Sequence, residues 1–137
     1  MMTKAEIAKL VALDGKCGYN ETNKAEFRKL STKLLRALAA NVGGKVSYNA
    51  AGIACSGDAS LHSETLHVFF NADSGMGLCG RTCKGASDYQ GGPNRWFPFS
   101  RLSETGVDGL VEWAKGIMAE STEKISVKRG YRTPRLR

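Results

Sequence analysis

The segment Thr65-Leu66-His67-Val68-Phe69-Phe70-Asn71 constrains the fold of this chain more than any other. Side chains alternate across a strand, so Leu66, Val68 and Phe70 fall on one face while His67 and Phe69 fall on the other. A strand with large groups on both faces is central in its sheet and needs a neighbour on each side. The flanking sequence offers two. Lys45-Val46-Ser47-Tyr48-Asn49 alternates polar and apolar residues as a half-buried strand does, with Ile53 to Cys55 as a candidate continuation beyond Ala50-Ala51-Gly52. Ser56 to Ser63 reads as a turn. Asp73-Ser74-Gly75 reads as a hairpin turn that returns the chain into a third strand, Met76 to Lys84.

Helical periodicity brackets this sheet on both sides. Thr3 followed by Glu6 is a capping-box pattern, and Ile7, Leu10 and Val11 continue it at helical spacing up to Gly15. Asn23 with Glu26 repeats the start signal for a second helix over residues 24–41, which Gly43-Gly44 stops. Phe27, Leu30, Leu34 and Leu38 form its apolar stripe, and Arg28, Lys29, Lys33 and Arg36 fall across the opposite side. Ser103, with acidic Glu104 and Asp108 behind it, opens a last helix whose buried stripe is Val107, Leu110, Val111, Ala114, Ile117 and Met118. Gly106, Gly109 and Gly116 weaken that helix by about 1 kcal/mol each relative to alanine, and close packing against the sheet would account for them.

The expected fold is α+β. A three-stranded or slightly larger antiparallel meander packs against two to three helices in the order α-α-β-β-β-loop-α-tail. Residues 1–127 form one domain, as suits a chain of 137 residues, and residues 128–137 form a basic C-terminal tail. The element order resembles that of double-stranded-RNA-binding domains. The lysine cluster such domains carry at the start of their final helix is replaced here by Arg101-Leu102-Ser103-Glu104-Thr105, so that resemblance assigns no site residue.

Lys84 to Arg101 combines backbone breakers (Gly85, Gly91, Gly92, Pro93, Pro98) with Tyr89, Trp96, Phe97 and Phe99. It reads as a long loop with more ring surface than a loop needs, hence one that binds a partner or folds down as a lid. Alternation sends Trp96 and Phe97 to opposite sides. The tail Lys128-Arg129-Gly130-Tyr131-Arg132-Thr133-Pro134-Arg135-Leu136-Arg137 carries five cations and no acid.

A formal net charge of +7 and a pI near 9.4 favour polyanionic partners, either nucleic acid or an acidic protein surface. The expected nucleic-acid site joins Arg28, Lys29, Lys33 and Arg36 of the second helix to Arg95, Trp96 and Arg101 of the loop and Lys128, Arg129, Arg132 and Arg135 of the tail. Exposed rings would stack on bases while the cations meet phosphates, in RNA or DNA. The rival reading is a protein–protein interaction module, such as a small inhibitor, that inserts Tyr89, Arg95, Trp96 and Phe97 into a partner, because Trp, Tyr and Arg dominate protein hot spots.

Catalysis has less support. His62 and His67 are the only imidazoles; His67 lies within a strand, and the neighbouring Ser60, Ser63 and Glu64 show no spacing that a triad demands. Gly75-Met76-Gly77 and Gly91-Gly92 lack the lysine and helix of a nucleotide loop. A weaker alternative is a small hydrolase or transferase using one histidine. Cys17, Cys55, Cys79 and Cys83 could pair or bind metal on count alone, but on a strand Cys79 and Cys83 stand roughly 13 Å apart, too far for one zinc ion. They are expected to be buried free thiols, with no metal and no cofactor. No apolar run is long enough to span a bilayer, and the N-terminus lacks a signal core, so the expectation is a cytoplasmic protein without a membrane partner.

Overall fold

The computed structural model describes residues 2–16, 20–49, 58–71, 77–88 and 91–128. Side chains are described for these residues except 49, 58, 71 and 123–128. The order is α1 (Lys4–Ala12), α2 (Glu21–Val42), β1 (Lys45–Asn49), β2 (Asp58–His62), β3 (Leu66–Asn71), β4 (Gly77–Thr82), β5 (Arg95–Phe97) and α3 (Phe99–Lys128). The five strands form one antiparallel meander in sequence order, which puts β3 at its centre. The α+β architecture expected from the sequence is therefore present, with two strands more than the basic three. No helix among the described residues is long and apolar enough to cross a membrane.

α1 starts where its cap dictates: the Thr3 hydroxyl accepts from the Glu6 N–H at 3.1 Å, and the Glu6 carboxylate accepts from the Thr3 N–H at 2.9 Å. α2 starts earlier than expected. Asn20, rather than Asn23, is the cap, its side chain accepting from the Asn23 N–H at 3.0 Å. Asn23 instead turns its side-chain amide back to the Lys16 carbonyl at 2.7 Å, fastening the connector to the first turn.

Cross-strand register sorts the sheet into two faces. Val46, Tyr48, Ala59, Leu61, Leu66, Val68, Phe70, Leu78, Gly80, Thr82 and Phe97 share one; α2 and α3 lie against it, and α1 packs on those two helices. Phe27 of α2 meets Phe70 edge-on at 5.4 Å, Phe99 meets Phe70 at 6.3 Å, and Phe97 meets Trp113 of α3 at 5.4 Å. Each such large buried side chain contributes about 1.5–3 kcal/mol, so this single layer interface holds the domain. Ser121 fastens one corner by accepting a hydrogen bond from the Cys83 N–H at 3.0 Å.

Three expectations are corrected. Ser56 to Ser63 is not a turn throughout: Asp58–His62 is β2, whose Ala59 and Leu61 are buried while Ser60 and His62 point the other way. Lys84 to Arg101 is not one loop: Arg95–Phe97 pairs with β4, Leu78 opposite Phe97, and Phe97 has 0% exposure. The last helix begins at Phe99 instead of Ser103, because the turn after Pro98 is already helical, Leu102 N–H donating to the Pro98 carbonyl at 3.1 Å. Gly106, at φ 67° and ψ −158°, interrupts the helical backbone within α3.

The helix glycines do not mark close packing on the sheet. A Cβ at Gly106 or Gly116 would touch nothing within 4 Å, and at Gly109 it would meet Thr105 of the same helix. The close approach is made from the strand side, at Gly80. The expected continuation at Ile53 to Cys55, the turn at Asp73 to Gly75, Cys17, Tyr89 and the tail from Arg129 onward lie outside the described residues.

Candidate nucleic-acid interface

The second sheet face carries no helix among the described elements. Two rows cross it in register. One runs Ser47, Ser60, Phe69, Cys79, Trp96 from β1 to β5; the next runs Lys45, His62, His67, Arg81. Both follow from period-two alternation: every large apolar residue sent to the core places its neighbour here. Ser47 and Ser60 hydroxyls stand 3.3 Å apart, so the row is polar at its β1 end and aromatic from β3 onward.

The rings and the guanidinium form a connected group. His62 meets His67 edge-on at 5.1 Å, and His67 lies 5.2 Å from Phe69 at a tilt of 45°. The Arg81 guanidinium lies over Phe69, 5.1 Å from the ring centroid, within cation–π range. Its Nε donates to Asn94 Oδ1 at 2.6 Å, which fixes the orientation of the plane. Cys79, between Phe69 and Trp96, has 0% exposure although it faces away from the helices, so its neighbours close over it. Phe69 and Trp96 are half-buried.

The charged side chains described on the strands of this face are Lys45 and Arg81, and β2 begins at Asp58, in register with Asn49. Asp88, in the adjoining segment, turns its carboxylate onto the N–H groups of Lys84 at 3.0 Å and Gly91 at 2.9 Å. Burial, with His62 and Arg81 nearby, lowers the His67 pKa to about 4, so at neutral pH it is an uncharged ring.

His62 and Cys83 sit together without forming a nucleophile and base. His62 Nε2 lies 2.9 Å from the Asp88 carbonyl oxygen, which can only accept, so Nε2 carries the proton. The same nitrogen is 3.9 Å from Cys83 Sγ and has no lone pair left to take a thiol proton. Burial, then the Asp88 charge, pushes the Cys83 thiol up to about 11, and burial raises that of Cys79 too. Both are buried free cysteines, as expected. No group of three or more His, Cys, Asp or Glu with metal-site geometry occurs among the described residues. A groove of about 260 Å³ between α1 and α3, lined by Lys4, Ile7, Leu102 and Glu104 among others, is smaller than an ordinary small-molecule site.

The described cations and rings singled out from sequence do not share one surface. On α2, Arg28 lies over the Tyr48 ring at 4.3 Å, at the β1 edge, and Lys33 is paired with Glu6 of α1; Lys29 and Arg36 are exposed. Trp96 lies on β5, the opposite edge, and on the opposite face. Four strand spacings separate those edges, about 19 Å. Arg95 is paired with Glu120, and Arg101, on α3, lies 5.0 Å over the Phe97 ring. Phe97 belongs to the core and is not a partner-facing residue. Lys128 is the last residue of α3, and Arg129, Arg132 and Arg135 lie beyond the described residues. Of the described side chains of the expected site, only Trp96 stands on the helix-free face. Lys45, Phe69 and Arg81 were not singled out from sequence, and His62 and His67 only as candidate catalytic groups, although the same alternation that located the core sends all five to this face.

Comparison of the chain with protein-family models, curated proteins and solved structures gives no match.

Proposed function

We propose that this protein binds nucleic acid, and that the contact surface is the helix-free sheet face and not the basic side of α2. The observation that carries the reading is the in-register group of Arg81, Phe69, His67 and Trp96 on a sheet face that none of the described helices covers. Lys45 and Arg81 supply cations to one row and the rings supply stacking surface to the next, the combination that polyanions with π-faced bases require. The net charge of +7 acts in the same direction at long range.

The test is fluorescence anisotropy with labelled oligonucleotides over a salt series. Affinity falls steeply as salt rises, and Lys45→Gln with Arg81→Gln weakens binding about 10-fold or more while lowering the salt slope by about 1 to 2. Lys29→Gln with Arg36→Gln, on the helix side, changes affinity no more than the lost net charge requires. Weakening by the helix pair alone would move the interface to α2. Absence of binding at low salt would remove nucleic acid as the ligand and leave the protein-partner reading.

A further inference from the structure

Resting on the reading just given, we infer that the ligand of the sheet face is an unpaired strand, with one base stacked on Trp96 and another on the Phe69–Arg81 pair. Width decides against a duplex. A five-stranded sheet is about 19 Å across, whereas the major groove of B-form DNA is about 12 Å wide and admits one helix or a two-stranded ribbon. The deep groove of an RNA duplex is narrower still. This face could meet a duplex only at its phosphates, and its rings would then contact nothing.

An unpaired strand can use them. Phe69 and Trp96 flank Cys79 in register, two strand spacings apart, about 9 to 10 Å. Bases stacked in a duplex lie about 3.4 Å apart, so two platforms rooted at that separation each take a splayed base, the strand passing over the closed Cys79 position between them. Arg81 serves the inner platform. Held by Asn94 at 2.6 Å and laid over Phe69 at 5.1 Å, its guanidinium adds to the ring group, and guanidinium planes stack on bases as rings do. His67, 5.2 Å from Phe69, adds a further ring to the same platform. Lys45 and Arg81 occupy the adjacent row, where the phosphates of a strand crossing the sheet would run.

The experiment uses the full chain carrying Trp113→Phe, which leaves Trp96 as the sole tryptophan, since the sequence has two. A single-stranded DNA of about 12 nucleotides, within the length one sheet-type platform spans, the matching RNA and the corresponding DNA duplex are titrated at one salt concentration, following tryptophan emission and anisotropy. Single strands quench Trp96 and bind at least about 10-fold tighter than the duplex. Phe69→Ala and Trp96→Ala each weaken single-strand binding about 5- to 100-fold with an unchanged salt slope; a ring whose role is only structural would not produce a loss specific to unpaired probes. Trp96→Leu, which keeps an apolar side chain on β5 and removes the π-face, repeats the loss if the alanine variant does not fold. A stronger hold on RNA than on DNA would mark the 2′-hydroxyl as a contact. Duplex bound as tightly as single strands, with Trp96 emission unaltered, overturns the stacking inference and leaves nucleic-acid binding standing. No binding of any probe overturns both.

Discussion

Replacing Gly80 by alanine tests the contact on which the two-layer architecture depends. A Cβ there would lie 2.6 Å from Trp113 Cη2, 3.0 Å from Trp113 Cζ2 and 2.8 Å from Ile117 Cδ1, against about 3.5–4.0 Å for carbon atoms in contact. Ile117 Cδ1 is a chain end and can swing aside. The Trp113 ring is backed by Phe97 at 5.4 Å, so relief requires α3 to back away from β4 by up to about 1 Å, the shortfall from an ordinary carbon contact. Overpacking of this kind costs about 1–3 kcal/mol, and replacing a strand glycine recovers about 0.5–1 kcal/mol of backbone entropy. The net expectation is a loss of about 1–2 kcal/mol, a fall in Tm of about 3–8 °C for a domain of this size. Urea denaturation followed by circular dichroism measures it. A double-mutant cycle with Ile117→Val identifies the cause: that change removes a clashing atom, so it costs less in the Gly80→Ala background than in the wild type, with a coupling of about 0.5 kcal/mol or more. Gly80→Ala at or above wild-type stability, or strict additivity with both Ile117→Val and Trp113→Phe, would refute the close approach of α3.

The remaining predictions concern charge and backbone. The His67 pKa falls from 6.5 to about 4 on folding, so the unfolded chain binds the proton more tightly. The resulting stability is complete above about pH 6.5 and is lost as pH falls toward 4. At about 1.4 kcal/mol per pKa unit, discounted because the ring is part exposed, the loss is about 1–2 kcal/mol. It should vanish in His67→Phe, and a slope that survives that change assigns it to another group. Glu6 behaves in the complementary way: hydrogen bonds from Lys33 and the Thr3 backbone lower its pKa from 4.5 to about 2. Its stabilising contribution is therefore present above about pH 4.5 and disappears as pH drops through 2. Lys33→Met should flatten acid unfolding in that window, and an unchanged acid limb would show that the pair does not couple to folding. At Gly77, φ is +75° and a Cβ would meet the Phe97 carbonyl oxygen at 2.5 Å and the Phe99 nitrogen at 2.9 Å. Both are backbone atoms, so Gly77→Ala should cost about 2 kcal/mol or more, and a variant unfolding at the wild-type urea midpoint would contradict that packing.

Where one residue's neighbours along the chain carried the signal, the sequence was a good guide. The Thr3–Glu6 box, the Phe27–Leu38 stripe and the two-faced Leu66–Phe70 strand are local patterns, and each became the expected element. β2 and β5 were hidden by their flanks. Ser56 and Gly57 before β2 with Asp58 at its start, and Gly91 to Pro93 and Pro98 around β5, are strong turn formers; only Ala59 to His62 in the first case and Arg95 to Phe97 in the second show the alternation between them. Tertiary pairing with β1, β3 and β4 overrode local preference, as it does for short strands with partners on hand.

The proposed interface was harder to read because it has no sequence neighbourhood. Ser47, Ser60, Phe69, Cys79 and Trp96 come from five strands, and only the cross-strand register makes them one row. A basic helix face, by contrast, is conspicuous in the sequence, and on α2 half of it is occupied in the fold, Lys33 with Glu6 and Arg28 with Tyr48. The physical case for the sheet face lies in the gradient along that row. A solvated strand face needs nothing larger than the serines at its β1 end. Phe69 and Trp96 at the other end leave part of their ring surface in water, and the cost is not recovered by the core, which lies on the opposite side. Grouped with an oriented Arg81 and an uncharged His67, those rings occupy one half of one face, as a binding platform must and a merely tolerated set of surface residues need not.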